Sequence, residues 1–212
     1  MTLASDPLVN EPQRTPGQQA LDDLVTLLDL ETIELNVFRG KCTDEDRVRV
    51  FGGQVAGQAL VAAARTIDQE HRHVHSLHAY FLRPGDPTQP ILYEVDRIRD
   101  GKSVGTRRVV AIQHGRAIFN LQASFHDPEP ATDYDHQVVM DDGLTPPEEL
   151  PDFHTRMAPF KERIGDWYDR PRPIDLRYVD GDPMTRQGEP AQGQHVWLRA
   201  NGELGDDPVL HA

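Results

Sequence analysis

The sequence has 212 residues and carries 35 acidic against 22 basic side chains, which gives a formal net charge of −13 at pH 7. This acidic balance excludes a general nucleic-acid binder, because such a protein needs a basic face. Cys42 is the only cysteine, so an intramolecular disulfide is excluded and a catalytic thiol is disfavoured.

The N-terminal residues 1–18 are polar and contain prolines, so they predict a mobile tail. The opening letters "MTLASDPLVNEPQRTP" lack a basic start and an apolar run, so no signal peptide is predicted. No window of the sequence approaches the roughly 20 apolar residues that span a bilayer. The sequence therefore predicts a cytoplasmic protein without a membrane span.

The first regular elements are a helix, a strand and a second helix. The leucine spacing in "ALDDLVTLLDL" (20–30) predicts a short amphipathic helix, and the alternation in "TIELNVFR" (32–39) predicts a half-buried strand. The stretch "FGGQVAGQALVAAARTID" (51–68) predicts a helix over 54–67, rich in alanine. Gly57 inside it costs about 1 kcal/mol relative to alanine, which suggests close approach by a neighbouring backbone. So slim a helix suits burial against a curved sheet.

Four strand-like runs follow the second helix, at 75–82, 90–98, 103–112 and 117–125. The Asp-Gly pair in "RDGK" is a strong hairpin signal between the second and third runs, and the His-Gly pair in "HGR" is a weaker one between the third and fourth. We therefore expect an antiparallel meander, in which Arg107 and Arg108 point to opposite faces of their strand. The order of elements predicts an α+β fold, with a curved antiparallel sheet wrapped around one long helix.

The second half of the chain is less regular. Residues 127–152 are rich in Asp, Glu and Pro and contain neither Lys nor Arg, which predicts a solvated linker. One or two helical turns, interrupted by Pro159, are expected in 152–167. Strand character resumes at 173–180 and again at 195–201.

Five blocks of the sequence together resemble one known family. They are "VFGGQVAGQAL" (50–60), "HSLHAYFLRPGD" (75–86), "RDGKS" (99–103), "ASFH" (123–126) and "VWLRANGELGDDPVLH" (196–211). In this order and spacing they strongly resemble the acyl-CoA thioesterase II family, the TesB-like proteins. The resemblance extends over residues 20–212, apart from the linker.

The resemblance implies a double hotdog, in which two tandem domains each fold a curved antiparallel sheet around one helix. It places one complete N-terminal hotdog domain at 19–126, after the tail at 1–18. An acidic, proline-rich linker at 127–172 then leads to the start of a truncated second hotdog domain at 173–212. An incomplete second domain would expose the edge of a sheet, so we expect a homo-oligomer formed through the first domain.

The resemblance also implies hydrolysis of fatty acyl-CoA to free fatty acid and coenzyme A, as part of fatty-acid metabolism. In this family an Asp, a Thr or Ser, and a Gln position the attacking water, so no metal, cofactor or acyl-enzyme is required. Those three residues are expected beyond the last residue of this sequence, and none is assigned here. The alternative is a non-catalytic hotdog subunit or an acyl-CoA-binding module that acts through oligomerisation. An enoyl-CoA hydratase is disfavoured, because no hydratase-like motif is visible.

The histidine-rich segment "HRHVHSLH" (71–78) raises the question of a metal site. His71, His73 and His75 share strand parity, but His78 has the opposite parity and no carboxylate lies nearby to orient the rings. We therefore predict a strand and no metal site. His75, which belongs to a family-like block, is the candidate catalytic residue. The alternative is a partly buried histidine whose ring bonds a backbone group.

The candidate substrate-binding residues are Gly52, Gly53, Gln54 and Arg83. Free amides at the start of the second helix could hold a carbonyl oxygen or a phosphate. Alternatively, the glycines only allow a sharp turn and Gln54 caps the helix. Arg83 either binds a coenzyme A phosphate or pairs with Asp86, and the ion pair is the favoured interpretation.

Overall fold

The computed structural model describes residues 14–43, 48–68, 71–128, 136–181 and 193–212. These residues fall into two compact units. The larger unit comprises Asp23–Met140 with Gly205–Ala212, and the smaller unit comprises Met1–Asp22 with Asp141–Leu204, each without the residues outside the described ranges.

The first helix, α1, spans Pro16–Leu28 and begins before the point that the leucine spacing predicts. The Thr15 hydroxyl accepts a hydrogen bond from the Gln18 amide at 3.1 Å, as an N-capping side chain does. Pro16 suits the first helical position because no N–H is needed there. Residues 16–18 of the predicted tail are therefore helical, and residues 1–13 lie outside the described residues.

Six strands form one antiparallel sheet in the larger unit. They are β1 (Glu31–Glu34), β2 (Val37–Gly40), β3 (His73–Phe81), β4 (Ile91–Asp100), β5 (Val104–Gln113) and β6 (Arg116–His126), in the order β1-β2-β4-β5-β6-β3 across the sheet. The hairpins that join β4, β5 and β6 confirm the two turn signals. The expected meander of four strands is wrong for β3, which pairs with β6 and not with β4. The proline-rich segment 82–90 separates β3 from β4 and is too long for a tight hairpin.

The second helix, α2, spans Gly52–Ala64 and packs against β4, β5 and β6. Its face toward the sheet includes Ala59, Ala62 and Ala63, all fully buried, so the predicted burial of an alanine-rich helix is confirmed. A Cβ added at Gly57 would lie 3.0 Å from Leu28 Cδ2, so the close neighbour there is a leucine side chain and not a backbone. The buried sheet residues facing this core include Ile91, Tyr93, Val109, Phe119, Leu121 and Phe125.

A buried glutamine connects α2 to three other segments. Gln58 is fully buried, and its Nε2 donates to the Leu27 carbonyl at 2.7 Å and to the Lys41 carbonyl at 3.0 Å. Its Oε1 accepts from the Tyr93 hydroxyl at 2.7 Å. Burial raises the pKa of Tyr93 well above its ordinary value, so this hydroxyl stays a donor. A Cβ at Gly40 would lie 2.5 Å from Gln58 Oε1, so only glycine leaves room for the amide.

A buried arginine holds the chain just beyond the C-terminus of α2. Arg107 is fully buried, and it donates to the Thr66 hydroxyl at 2.7 Å and to the Thr66 carbonyl at 2.8 Å. It also pairs with Asp100 at 2.5 Å. Arg108 is exposed and pairs with Asp96 at 3.3 Å, so the prediction that the two arginines point to opposite faces is confirmed.

The smaller unit combines short helical segments with a two-stranded antiparallel sheet. Its helices and strands are α3 (Phe153–Met157), α4 (Lys161–Ile164), β7 (Ile174–Tyr178) and β8 (Val196–Ala200), with 3₁₀ turns at Pro147–Glu149, Ala158–Phe160 and Gly165–Trp167. Pro159 lies in the turn between α3 and α4, as predicted. The Arg172 guanidinium lies 3.4 Å from the Phe153 ring centroid and 4.1 Å from that of Trp167, so cation–π contacts link the segment before β7 to α3 and to the turn that contains Trp167.

Arg107 and Arg108 allow the contribution of a buried arginine to stability to be compared with that of an exposed neighbour. We expect Arg107→Leu to lower the free energy of unfolding by about 3 kcal/mol, because Thr66 and the neighbouring carbonyls lose a buried donor. Arg108→Leu removes an exposed ion pair and should change the free energy by less than about 1 kcal/mol. Urea unfolding followed by circular dichroism measures both. Equal losses in the two variants would contradict the role given to burial.

The Asp100–Arg107 pair also predicts a pH dependence of stability. The hydrogen bond from Arg107 lowers the pKa of Asp100 below its ordinary value. A carboxyl group whose pKa is lower in the folded state stabilises the protein at pH values above its unfolded-state pKa. This stabilisation is lost as the pH falls through the folded-state pKa. The difference in unfolding free energy between the wild type and Asp100→Asn should therefore shrink from about pH 7 to about pH 3. A difference that grows on acidification would contradict this sign.

Candidate functional site

A cavity of about 760 Å³ opens in the larger unit at the N-terminus of α2. Its walls come from the segment before α2, the first turn of α2, the end of β3 with the loop that follows, and β6. The lining residues are Val48, Arg49, Val50, Phe51, Gly52, Val55, Phe81, Leu82, Arg83, Pro84, Gly85, Ile118 and Phe119. Most of them are apolar, two are arginines and none is a carboxylate.

Backbone hydrogen bonds join the walls of this cavity. The Val50 amide donates to the Gly85 carbonyl at 2.9 Å, and the amides of Leu82 and Arg83 donate to the Ile118 carbonyl at 2.9 and 3.1 Å. A Cβ at Gly85 would lie 3.1 Å from Val50 Cγ2 and 3.2 Å from Ile118 Cδ1. The loop after β3 therefore lies close against both neighbouring segments.

The glycines at the start of α2 allow aromatic rings to contact the backbone. A Cβ at Gly52 would lie 2.9 Å from Phe81 Cε1, and a Cβ at Gly53 would lie 2.5 Å from Phe51 Cε1. Phe51 occupies the N-cap position without a side-chain capping bond, so the first amides of the helix have no side-chain partner from that residue. Gly52 lines the cavity, whereas Gly53 is not among its lining residues.

Gln54 is buried within the first turn of α2 and does not line the cavity. Its Nε2 donates to the Lys41 carbonyl at 3.0 Å, so the amide connects α2 to the chain after β2. It does not cap the helix, because the N-cap position is Phe51. A role for Gln54 in substrate binding stays a prediction.

Arg83 lines the cavity, and its expected ion pair with Asp86 does not form. Its Nη1 donates instead to the Ala117 carbonyl at 2.7 Å. The Asp86 carboxylate accepts from the Thr88 hydroxyl at 2.7 Å and lies 3.2 Å from His114 Nε2. Hydrogen bonds from Thr88, followed by His114, lower the pKa of Asp86. The sequence favoured Asp86 because it is near Arg83 along the chain, whereas Ala117 is 34 residues away and approaches Arg83 only in the fold.

His75 lies on β3, the last strand at one edge of the sheet, and its side chain is exposed. Its Nε2 is 2.9 Å from the Ser124 hydroxyl, and its ring centroid lies 5.8 Å from that of His126. The partner is therefore a side chain and not the backbone group considered above. His75 is not among the cavity-lining residues, and its catalytic role stays a prediction.

The other histidines of the segment 71–78 do not form a cluster with metal-ligand geometry in the described residues. Within those ranges, no group of three or more His, Cys, Asp or Glu side chains could hold a metal ion. His71 lies 3.3 Å from Asp127, a carboxylate that is remote in sequence and adjacent in space. The pairing of β3 with β6 brings these two residues together.

Several cavity residues have no distinctive signal in the sequence. Phe81 and Phe119 stand at cross-strand positions of β3 and β6, with ring centroids 4.9 Å apart. Their contact depends on that strand pairing, which local patterns do not specify. Arg49 precedes the glycine pair of α2 and could have been noticed as a second basic residue near Arg83 only once the fold was known.

The sequence of this chain is similar to those of known proteins. Residues 43–126 match the family model of the acyl-CoA thioesterase N-terminal domain. Human acyl-coenzyme A thioesterase 8 is 38% identical over 92% of this chain, and acyl-CoA thioesterase 2 of Haemophilus influenzae is 37% identical over 86% of it. The chain spans 64% of the length of each of these two relatives.

Solved structures are also similar to this chain over most of its length. The acyl-CoA thioesterase II TesB2 from Mycobacterium marinum is 39% identical, with a TM-score of 0.65, over 89% of this chain and 63% of that one. A hot dog fold protein of unknown function from Alicyclobacillus acidocaldarius is 18% identical, with a TM-score of 0.62, over 84% of this chain and 62% of that one. At this identity the second likeness concerns the fold alone.

The sheet packed on α2 and these structural likenesses define a hotdog fold, as the resemblance implies. Over residues 43–126 the chain matches the acyl-CoA thioesterase N-terminal domain, and over most of its length it is similar to acyl-CoA thioesterases, among them an acyl-CoA thioesterase II. None of the helices in the described ranges combines the length and the apolar character needed to cross a membrane.

The contact between Gly52 and Phe81 predicts an effect on the cavity. In Gly52→Ala the added Cβ displaces the Phe81 ring, which should weaken binding of the neutral apolar dye Nile red by about threefold to tenfold, a loss of about 1 kcal/mol. Gly57→Ala is the matched control, because its added Cβ meets Leu28 and not a cavity residue. Fluorescence titration measures the affinity for Nile red. Equal affinities in Gly52→Ala and Gly57→Ala would show that the position of the Phe81 ring in the cavity wall does not depend on Gly52.

Proposed function

We propose that the protein hydrolyses fatty acyl-CoA to free fatty acid and coenzyme A. One observation carries this proposal: the domain that matches the thioesterase family contains an apolar cavity at the N-terminus of its buried helix. The acyl chain lies against Val55, Ile118 and Phe119. Its transfer from water contributes about 0.8 kcal/mol per buried CH₂ group.

The proposed reaction places the thioester carbonyl near the first amides of α2. Amides at a helix N-terminus donate hydrogen bonds and carry partial positive charge, which stabilises the oxyanion as water attacks the carbonyl carbon. The carbon–sulfur bond then breaks, the acid keeps the oxygen of the water, and the leaving sulfur becomes the coenzyme A thiol on protonation. In this proposal Gly52 and Gly53 supply the amides, and Gln54 holds the first turn of the helix in place.

The group that activates the water is not assigned among the cavity-lining residues, since none of them is a carboxylate or a histidine. This composition also favours a second candidate function, an acyl-CoA-binding module without catalysis. His75 remains the proposed catalytic histidine of this chain, although it lies outside the cavity lining. The chain spans 64% of the length of the two curated relatives named above, so hydrolysis by the whole protein is a proposal, as is acyl-CoA binding in this cavity.

Two measurements on the same preparation distinguish the two functions. Thiol release from acyl-CoA substrates of increasing chain length detects hydrolysis. Calorimetric titration with a non-hydrolysable acyl-CoA thioether detects binding. We expect the affinity for the thioether to rise with chain length, because each added CH₂ group is buried. Binding without thiol release would favour the binding module, and no binding at any chain length would contradict both functions.

The proposed role of His75 has its own test. If His75 transfers a proton in the reaction, His75→Ala should lower kcat by about 100-fold or more and leave thioether binding unchanged. His78→Ala is the matched control, since His78 is an exposed histidine of the same strand. Equal kcat values in wild type and His75→Ala would leave the Ser124 hydrogen bond as the role of this side chain.

The assembly and the location of the protein are further proposals. We propose a homo-oligomer that forms through the exposed edge strand β3, where Leu77 and Tyr80 are 50% and 58% exposed. A cytoplasmic location is proposed from the sequence. Size-exclusion chromatography with light scattering tests the assembly, and a monomer at micromolar concentration would count against it.

A further inference from the structure

Two arginines of the larger unit line the cavity, and neither forms an ion pair with a carboxylate of the described residues. Six arginines there form ion pairs with described carboxylates: Arg39, Arg65, Arg72, Arg97, Arg107 and Arg108. Four described arginines of this unit form none with the described residues, namely Arg49, Arg83, Arg99 and Arg116, and of these only Arg49 and Arg83 line the cavity. In a chain with a net charge of −13, two guanidinium groups at one cavity that form no ion pair with a described carboxylate indicate a site for an anion.

The position of Arg83 is fixed by the protein itself. Its backbone amide donates to the Ile118 carbonyl at 3.1 Å, and its Nη1 donates to the Ala117 carbonyl at 2.7 Å. The Nε and Nη2 groups remain as donors for an anion, and a guanidinium can present two parallel N–H bonds to a carboxylate. The start of α2 at Gly52 lines the same cavity and adds partial positive charge.

Apolar residues adjoin each arginine within the cavity. Val50 follows Arg49, and Leu82 precedes Arg83, and both side chains line the same space as Ile118. A ligand that satisfies all these groups has an anionic end directly attached to an apolar chain. A fatty acid has this form. In acyl-CoA, by contrast, the long pantetheine arm separates the phosphates from the acyl chain.

We propose that the cavity binds a free fatty acid, with its carboxylate on Arg49 and Arg83 and its chain on the apolar wall. This inference rests on the proposed function, because the fatty acid is the product of acyl-CoA hydrolysis. The neutral thioester does not carry the carboxylate, so the arginines hold the product more strongly than the acyl group of the substrate. Retained product then competes with the next acyl-CoA molecule.

The test compares three ligands by isothermal titration calorimetry on the 212-residue chain: decanoate, 1-decanol and coenzyme A. We expect Arg83→Gln and Arg49→Gln each to weaken decanoate binding by about tenfold, because each removes a charged hydrogen-bond donor. Binding of 1-decanol should be unchanged in both variants. Arg108→Gln is the matched control, since Arg108 is exposed, lies outside the cavity and should leave all three affinities unchanged.

Three results would overturn the inference. The first is that the wild type binds no decanoate. The second is that decanoate binds the wild type and both cavity variants with equal affinity. The third is that coenzyme A alone loses affinity in the variants while decanoate does not. The last result would assign the arginines to phosphate. Thiol release is scored separately: decanoate binding that depends on the arginines, without hydrolysis, would contradict the proposed function and leave the carboxylate site in place.

Discussion

The close approach of a narrow helix to a sheet is the constraint on which the larger unit depends. Ala59, Ala62 and Ala63 have no solvent exposure, and their small side chains let α2 lie near the strands without gaps. Larger side chains at these positions would push the helix outward and separate it from Phe119 and Phe125. The apolar burial that stabilises the unit therefore depends on residues that contribute little surface of their own.

Polar ties fix the position of this helix along the sheet. Gln58 connects its middle to the last turn of α1, to the chain just after β2 and to Tyr93, while Arg107 holds the Thr66 carbonyl just beyond its C-terminus. Apolar packing has no preferred direction, whereas hydrogen bonds do, so these two side chains set where the helix begins and ends relative to the strands. The cavity lies at the remaining end, beside Gly52.

The cavity combines the features that the proposed chemistry requires. Its walls are mostly apolar, the amides of a helix N-terminus lie at one side, and two arginines form no ion pair with a carboxylate of the described residues. Electrostatic attraction of an anion to Arg49 and Arg83 and burial of its chain act on one ligand at once. The arginines then contribute to the affinity for the product alone. The apolar wall contributes to the affinity for both the product and the substrate.

The sequence by itself determined the α+β class, the bounds of most strands, the alanine-rich helix, the two hairpins of β4–β6 and the likeness to acyl-CoA thioesterases, because each rests on local periodicity, turn chemistry or short motifs. It also marked Gly52 and Arg83, which line the cavity. Only the tertiary structure decided that β3 pairs with β6, that Gln54 bonds the Lys41 carbonyl and that Arg83 bonds Ala117 and not Asp86. These outcomes depend on which distant segments meet, and strand pairing brings together residues whose contact no local pattern specifies.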